Sequence, residues 1–531
     1  MELVGKNLIG GEWSGSGKRR FYGIEPMTGE KLEPVFYEVT WEEIRQALEM
    51  AREAFAAYRQ KTPGEIAGFL EDIAAGIEEL GDRLIRRASR ETALDENRLR
   101  GERGRTVNQI RMFAQEVREG SWKGARIDTA DPARKPVPKA DIRQMLIPLG
   151  PVVVFAASNF PLAFSAAGGD TISALAAGNP VVVKAHPGHP GTAELVARAI
   201  LAAARQSNMP PGIFSMVHGV EHRVGLELVT HPLTQAVAFT GSLKGGRALF
   251  DAAASRPRPI PVYAEMGSIN PVFVLPAALK EKGDEIARQL AQSVTLGVGQ
   301  FCTNPGLVAG IKSDALELFI QKLVREVSQI PAGTMIYAGI QESYQRGIKE
   351  FLNIPGVELA GESGNRATPA VLVTSAAVFL DNDRLAEEVF GPSTLVVQCD
   401  TPEQLLEVAQ HLQGQLTATI QATGEDLRRF PELISILECR VGRLLYGGVP
   451  TGVEVCPAMH HGGPYPAATD IRSTSVGSLA LQRFVRPVCY QNFPLQMLPP
   501  ELQDKNIRRI WRLLNNRWMR DDVIGSREKL L

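Results

Sequence analysis

The chain has 531 residues, 44% hydrophobic and 22% charged, with a formal net charge of -1. That length is too great for one simple core and implies two or three domains, while the near-neutral balance offers no basic surface for nucleic acid or for an anionic membrane. The cysteines Cys302, Cys399, Cys439, Cys456 and Cys489 are odd in number, widely spaced and without a CxxC pair, so neither a disulfide framework nor a zinc site is expected.

This cysteine usage suits a reducing compartment, and the expected location is the cytoplasm. The stretch from Met1 to Trp13 lacks a basic region followed by an apolar one, so no secretion signal is expected, and no apolar run is long enough to span a bilayer.

In chain order, apolar residues at three- and four-residue steps (Trp41, Ile44, Leu48, Ala51, Phe55) predict an amphipathic helix over 41–59. Pro63 opens a second helix through Leu80, and a third is predicted from Thr106 to Glu119. Residues 127–140, rich in proline and charge, read as an exposed arm or linker. From Gly150 the texture changes. Short β-branched runs at Val152–Phe155, Val181–Lys184, Phe214–Val217 and Ala236–Phe239 alternate with helical stretches, the pattern of a parallel sheet covered on both faces. A second α/β pattern occupies 271–445, and the tail from about 484 is extended, proline-rich and finally basic.

The chemistry is concentrated in a few segments. Cys302 lies in Gly299-Gln300-Phe301-Cys302-Thr303, where glycines leave the sulfur accessible. A thiolate adds to an aldehyde to give a thiohemiacetal, which yields a thioester on loss of hydride to a nicotinamide. Its oxyanion needs donors. Asn159, placed after the strand Val152–Phe155, suits that role, although it would equally cap a helix after Pro161. Glu265 follows the strand Pro261–Ala264 and is a candidate base for the thiol or the deacylating water. The turn Phe239-Thr240-Gly241-Ser242 ends a strand and opens a helix, a place for phosphate as well as for an ordinary cap. No GxGxxG follows a strand.

The ordered series SNFP, VVVK, FTGS, AEMG, GQFC and EEVFGP resembles the aldehyde dehydrogenase superfamily from about residue 5 to about 495. The resemblance implies an α/β fold of two doubly wound parallel-sheet domains with an oligomerisation arm. Residues 1–126 and 148–263 would bind the cofactor, 264–483 would form the catalytic domain, and 127–147 with 484–531 would form the arm and tail. It implies Cys302 as nucleophile, Glu265 as general base and Asn159 as oxyanion donor. It further implies that Lys184, Ser242 and the adjoining Gly241 meet the cofactor, and that Glu388 and Phe390 hold the nicotinamide ribose.

The departures from the family pattern narrow the match. Ser158 stands where many members have Trp, and His460-His461-Gly462-Gly463-Pro464 replaces a common glycine-rich segment. FAASNFPLAF, KAHP and the tail resemble the branch containing 2-oxoglutarate semialdehyde (2,5-dioxopentanoate) dehydrogenases and NADP-dependent dehydrogenases of aliphatic aldehydes. NAD-preferring relatives usually carry Glu three residues after the lysine. Here Pro187 stands there, which removes a repulsion against a 2′-phosphate. NADP is therefore the expected cofactor, with NAD also accepted, and Arg223 and His222 are candidate partners of the phosphate.

By the same match Arg105 faces the substrate tunnel and is the candidate for a distal carboxylate, with Phe160, Phe164 and Phe301 as its walls. His460 and His461 either line the mouth of the tunnel or are turn histidines without a role, and the second is the reading taken. No resident metal is expected, and the arm implies a homodimer or homotetramer. The alternatives are a dehydrogenase of other semialdehydes or aliphatic aldehydes, a coenzyme A-acylating relative, from which the base Glu is usually missing, a non-catalytic scaffold, and a thiol hydrolase.

Overall fold

A computed structural model of the chain describes residues 2–362 and 367–523. Among the described residues two seven-stranded sheets and a five-stranded sheet organise it, beside a two-stranded one, and the two largest arise where the sequence supplies short β-branched runs.

In the first sheet the strands run Val262–Glu265, Ala236–Thr240, Val152–Phe155, Val181–Lys184, Phe214–Val217, Asn7–Ile9 and Glu12–Ser14, the first five parallel and the last two antiparallel. Alternation along a strand sends neighbouring side chains to opposite faces. Val152 and Val154 pack with Ile66, Phe69, Phe113 and Ile172, whereas Val153 and Phe155 pack with Ile44, Leu48, Val224 and Leu228. Strand order reverses between Val152–Phe155 and Ala236–Thr240, so a crevice opens at the carboxyl ends of those two strands.

The predicted helices appear as Trp41–Tyr58 and Pro63–Glu79. Each is started by a Thr–Glu capping box, Thr40 with Glu43 and Thr62 with Glu65. The third begins ten residues earlier than its periodicity suggests, at Glu96, capped by Asp95, and runs to Glu119. Its first turns carry arginines rather than an apolar stripe because they line a cavity instead of a core.

The second sheet runs Glu358–Glu362, Ala370–Ser375, Ser393–Cys399, Leu307–Ile311, Val272–Val274, Gln415–Gln421 and Val441–Tyr446, parallel apart from the first pair. Buried aliphatic clusters cover both of its faces.

The stretch read as a linker is only partly one. Strands Arg126–Asp128 and Ile142–Pro148 flank the proline-rich loop, and Val485–Gln491 pairs with the latter over seven residues. The basic tail forms a hairpin, Arg512–Leu514 with Arg517–Met519, that extends this third sheet to five strands. Residues 524–531 of the expected tail lie outside the described residues. No helix among the described residues is long and apolar enough to cross a membrane.

Candidate active site

Strand register builds the site. Lys184 pairs with Phe155, Phe155 with Phe239, and Thr240 with Glu265, so all of them end on one carboxyl rim of the first sheet. Asn159 follows four residues beyond that rim, and no helix starts at Pro161. The next helix begins at Gly169, so the cap reading of Asn159 is overturned. Instead Asn159 is buried and its Nδ2 donates to the Gln300 carbonyl at 3.1 Å, which brings the amide to the loop carrying Cys302.

That loop is built from backbone that side chains resist. Gly297, Val298 and Gly299 all have positive φ, and a Cβ on Gly299 would come within 2.2 Å of Gly391. Gln300 braces it by donating to the Gly297 carbonyl at 3.1 Å and accepting from the Ile336 N–H at 3.0 Å. Asn270, which the sequence did not single out, donates to the carbonyls of Cys302 and Asn304, each at 2.9 Å. The sulfur is thus held by a hydrogen-bonded frame rather than by apolar packing.

The correction of most consequence concerns His461, expected to be a turn histidine without a role. Its Nε2 lies 3.4 Å from Cys302 Sγ and 3.0 Å from Glu265 Oε1. The cause is tertiary. Residues 467–469 run along the edge strand Val262–Glu265, with Met266 N–H donating to Ala467 O at 2.8 Å and Thr469 N–H to Ala264 O at 3.0 Å. Ser475 N–H then donates to His461 O at 2.9 Å, closing a loop that delivers both side chains onto Glu265. Ser475 Oγ donates to Glu265 Oε2 at 2.7 Å. His460 is half-buried, packs beside Gly442 and is not part of this group.

The electrostatics follow from these contacts. Burial pushes the Glu265 carboxyl up, but the charge and hydrogen bond of His461 and the Ser475 hydroxyl outweigh it, leaving Glu265 below the usual carboxylate range. Burial first, then the neighbouring Glu265 charge, pushes the Cys302 thiol well above its ordinary value, so the resting pair is a neutral thiol beside a carboxylate.

Beside Cys302 lies a cavity of about 220 Å³, lined by Arg98, Glu102, Arg105, Phe160, Phe164 and Phe301 among others. Phe160 meets Phe164 and Phe301 edge-on, at ring-centre distances of 5.6 and 5.3 Å. The Arg105 guanidinium lies 5.1 Å from the Phe164 ring centre, and that of Arg98 lies 5.1 and 5.0 Å from those of Phe160 and Phe301. The sequence missed Arg98, whose Nη2 donates to Asn159 O at 2.9 Å. Arg98 Nη1 and Arg105 Nε and Nη2 are buried without a hydrogen-bond partner. Buried Glu102 accepts from the N–H groups of Leu162 and Ala163, so two arginines face one carboxylate. Burial lowers the pKa of both arginines and raises that of Glu102.

The other expected residues lie along the rim. The Lys184 ammonium makes no hydrogen bond or ion pair to any described residue, and burial, opposed by the charge of Glu38, pulls it down to about 8. Gly241 N–H donates to Glu265 O at 3.0 Å, and exposed Ser242 caps the helix Leu243–Ala254 by accepting from Gly245 N–H at 3.2 Å. Glu388 Oε2 occupies space that a Cβ on Gly267 would invade at 2.6 Å, and burial pushes its carboxyl up to about 7. Phe390 packs with Leu99, Met335 and Tyr344. Pro187 sits in the turn after Lys184, and Arg223 is exposed, 3.7 Å from both Glu221 and Glu227.

A sheet rim carrying a lysine, a helix N-terminus and a carboxyl whose burial raises its pKa thus lies next to the thiol. Residues 13–445 match the aldehyde dehydrogenase family, and the chain belongs to it. It is 50% identical over 519 residues to alpha-ketoglutaric semialdehyde dehydrogenase 2 of Azospirillum brasilense, covering 97% of this chain and 99% of that one. To alpha-ketoglutaric semialdehyde dehydrogenase of Acinetobacter baylyi it is 47% identical over 520 residues, covering 97% and 98%. Betaine aldehyde dehydrogenase of Staphylococcus aureus, solved with NAD+, shares the fold with a TM-score of 0.79 at 20% identity, covering 93% of this chain and 96% of that one. The chain is an oxidoreductase acting on aldehydes.

Proposed function

We propose that this enzyme oxidises 2-oxoglutarate semialdehyde to 2-oxoglutarate, with Cys302 as nucleophile. The observation that carries the reading is the cavity beside Cys302, where two arginines with unpaired N–H groups outnumber the single carboxylate of Glu102. A substrate carboxylate would neutralise that surplus and satisfy the donors. An alkyl aldehyde would leave them buried and unsatisfied, at about 1–3 kcal/mol per group. The names of the two relatives near 50% identity support the same substrate.

The chemistry starts from the neutral thiol. Its proton passes to the Glu265–His461 pair, and Sγ adds to the aldehyde carbon. Asn159 Nδ2 meets the oxygen on which charge develops. Lys184, Gly241, Ser242, Glu388 and Phe390 are the residues that would hold NAD(P), which would supply the hydride acceptor when bound. Glu265 then removes a proton from water, which releases the acid and restores the thiol. Retention of Glu265 favours hydrolysis over transfer to coenzyme A.

NADP is the preferred cofactor in this reading. Pro187 supplies no carboxylate to repel a 2′-phosphate, and the Lys184 ammonium feels the charge of Glu38 but makes no direct hydrogen bond or ion pair to a described residue. Arg223 stands further out, sharing its charge with Glu221 and Glu227. The Val485–Gln491 strand is an open sheet edge and supports a homodimer or homotetramer. Five free cysteines support the cytoplasm as location.

The test is kcat/KM for reduced-cofactor formation with 2-oxoglutarate semialdehyde, succinic semialdehyde and hexanal, each with NADP and NAD. Preference for the oxo-acid semialdehyde is expected. Preference for hexanal would overturn the substrate and leave the roles of Cys302, Glu265 and Asn159 standing.

A further inference from the structure

Among the described residues, Glu265, Cys302 and His461 form the one group of His, Cys and carboxylate side chains that converges as metal ligands do. A carboxylate oxygen, Sγ and Nε2 all lie within 4.8 Å of one another. We propose that this trio is also a binding site for a soft divalent cation, Zn2+ or its analogue Cd2+, and that occupancy reversibly masks the nucleophile.

The geometry is close to what the ion demands. Bonds of about 2.3 Å to sulfur and about 2.0–2.1 Å to nitrogen or oxygen, at tetrahedral angles, place ligand atoms about 3.4–3.6 Å apart. The Nε2–Sγ separation is 3.4 Å and Nε2–Oε1 is 3.0 Å, so shifts of a few tenths of an ångström suffice for those two edges. Thiolate, imidazole and carboxylate together select zinc or cadmium over magnesium or calcium, which want oxygen alone.

The surroundings complete the site. Ser475 Oγ holds Glu265 Oε2 at 2.7 Å, which leaves Oε1 facing His461 and fixes the carboxylate from behind. Asn270 and Gln300 anchor the backbone on either side of the sulfur, so little ordering remains to be done on binding. Cys302 lines the cavity of about 220 Å³, which gives an approach path and room for a water as fourth ligand. Arg105 opposes an incoming cation. The ion, however, meets two negative ligands once the S–H bond breaks, the S–metal bond forms and the proton leaves to solvent, with no change in oxidation state. The spacing of cysteines along the chain concealed this site because its ligands come from three distant segments.

The test is spectroscopic and independent of the substrate. The full chain is titrated with CdCl2 while the ultraviolet thiolate-to-cadmium charge-transfer absorption is followed, and Zn2+ is then used as competitor. One equivalent of Cd2+ should give a band that Zn2+ displaces and a chelator removes. Cys302→Ser should abolish that band although Cys399, Cys439, Cys456 and Cys489 remain. Ser475→Ala should weaken binding by about 10- to 100-fold, as loss of a supporting hydrogen bond does at other metal sites. Unmodified chain held at free Zn2+ about ten times Kd should lose reactivity of Cys302 toward iodoacetamide by about tenfold, read by mass spectrometry. A band that persists in Cys302→Ser, affinity unchanged in both His461→Gln and Glu265→Gln, or Zn2+-independent alkylation of Cys302 would each overturn the proposal.

Discussion

The two sides of Cys302 are built on different principles. The aldehyde side is a closed wall of side chains in which Phe160, Phe164 and Phe301 stack edge to face and two arginine guanidiniums lie against them. The proposed cofactor side is a row of strand ends and one helix N-terminus, with Lys184 at the end of one strand and Ser242 at the head of the helix. The first depends on packing between distant segments and discriminates by shape and charge. The second depends on backbone topology and, in the proposed reading, receives the phosphates and ribose of the cofactor. A substitution on one side should therefore leave the other functioning.

The sharpest break is Cys302→Ala, expected to lower turnover by about 10⁴-fold or more while leaving NADP binding intact. Substantial residual dehydrogenase activity would remove Cys302 as nucleophile. Glu265→Gln should slow thioester release by about 10²- to 10⁴-fold and retain the first hydride transfer. Rapid-mixing absorbance would show this as a burst of reduced cofactor, and absence of the burst counts against a role in deacylation.

Arg105→Ala should raise KM for 2-oxoglutarate semialdehyde by about 10- to 100-fold, since a charge-assisted hydrogen bond is worth about 1.5–3 kcal/mol. KM for hexanal should hardly move, and equal effects on both would remove Arg105 from the carboxylate site. On the cofactor side the expected effect is smaller and depends on pH. Lys184, pulled down to about 8 by burial, is charged below that pH and neutral above it. Its attraction for a 2′-phosphate is therefore present at low pH and fades as pH rises. The ratio of kcat/KM for NADP to that for NAD should fall through about pH 8, and a ratio independent of pH would remove Lys184 from the phosphate site. Pro187→Glu should shift that ratio toward NAD by about tenfold, roughly 1.4 kcal/mol.

Legibility differed between the same two sides. The cofactor rim was readable because short β-branched runs announce buried parallel strands, and Lys184, Glu265 and Ser242 sit where those runs stop. Cys302 was readable from the glycines around it, which leave room for the positive φ at Gly297 and Gly299. Arg98 was missed because the helix from Glu96 starts with polar turns and lacks the periodicity that reveals an amphipathic face. His461 was missed because nothing local distinguishes it. Its place depends on residues 467–469 pairing along the edge of Val262–Glu265.

By itself the sequence determined the family and the two α/β sheets, and it singled out Cys302, Glu265 and Asn159, which the fold brings to one place. These rest on local patterns of burial, turn and strand end, which short segments carry. Tertiary structure alone decided that His461 and Ser475 converge on Glu265, that Arg98 joins Arg105 beside the cavity, and that the tail completes the third sheet. Such contacts join residues far apart in the chain, and their energy comes from pairing and burial that exist only after the segments between them have packed.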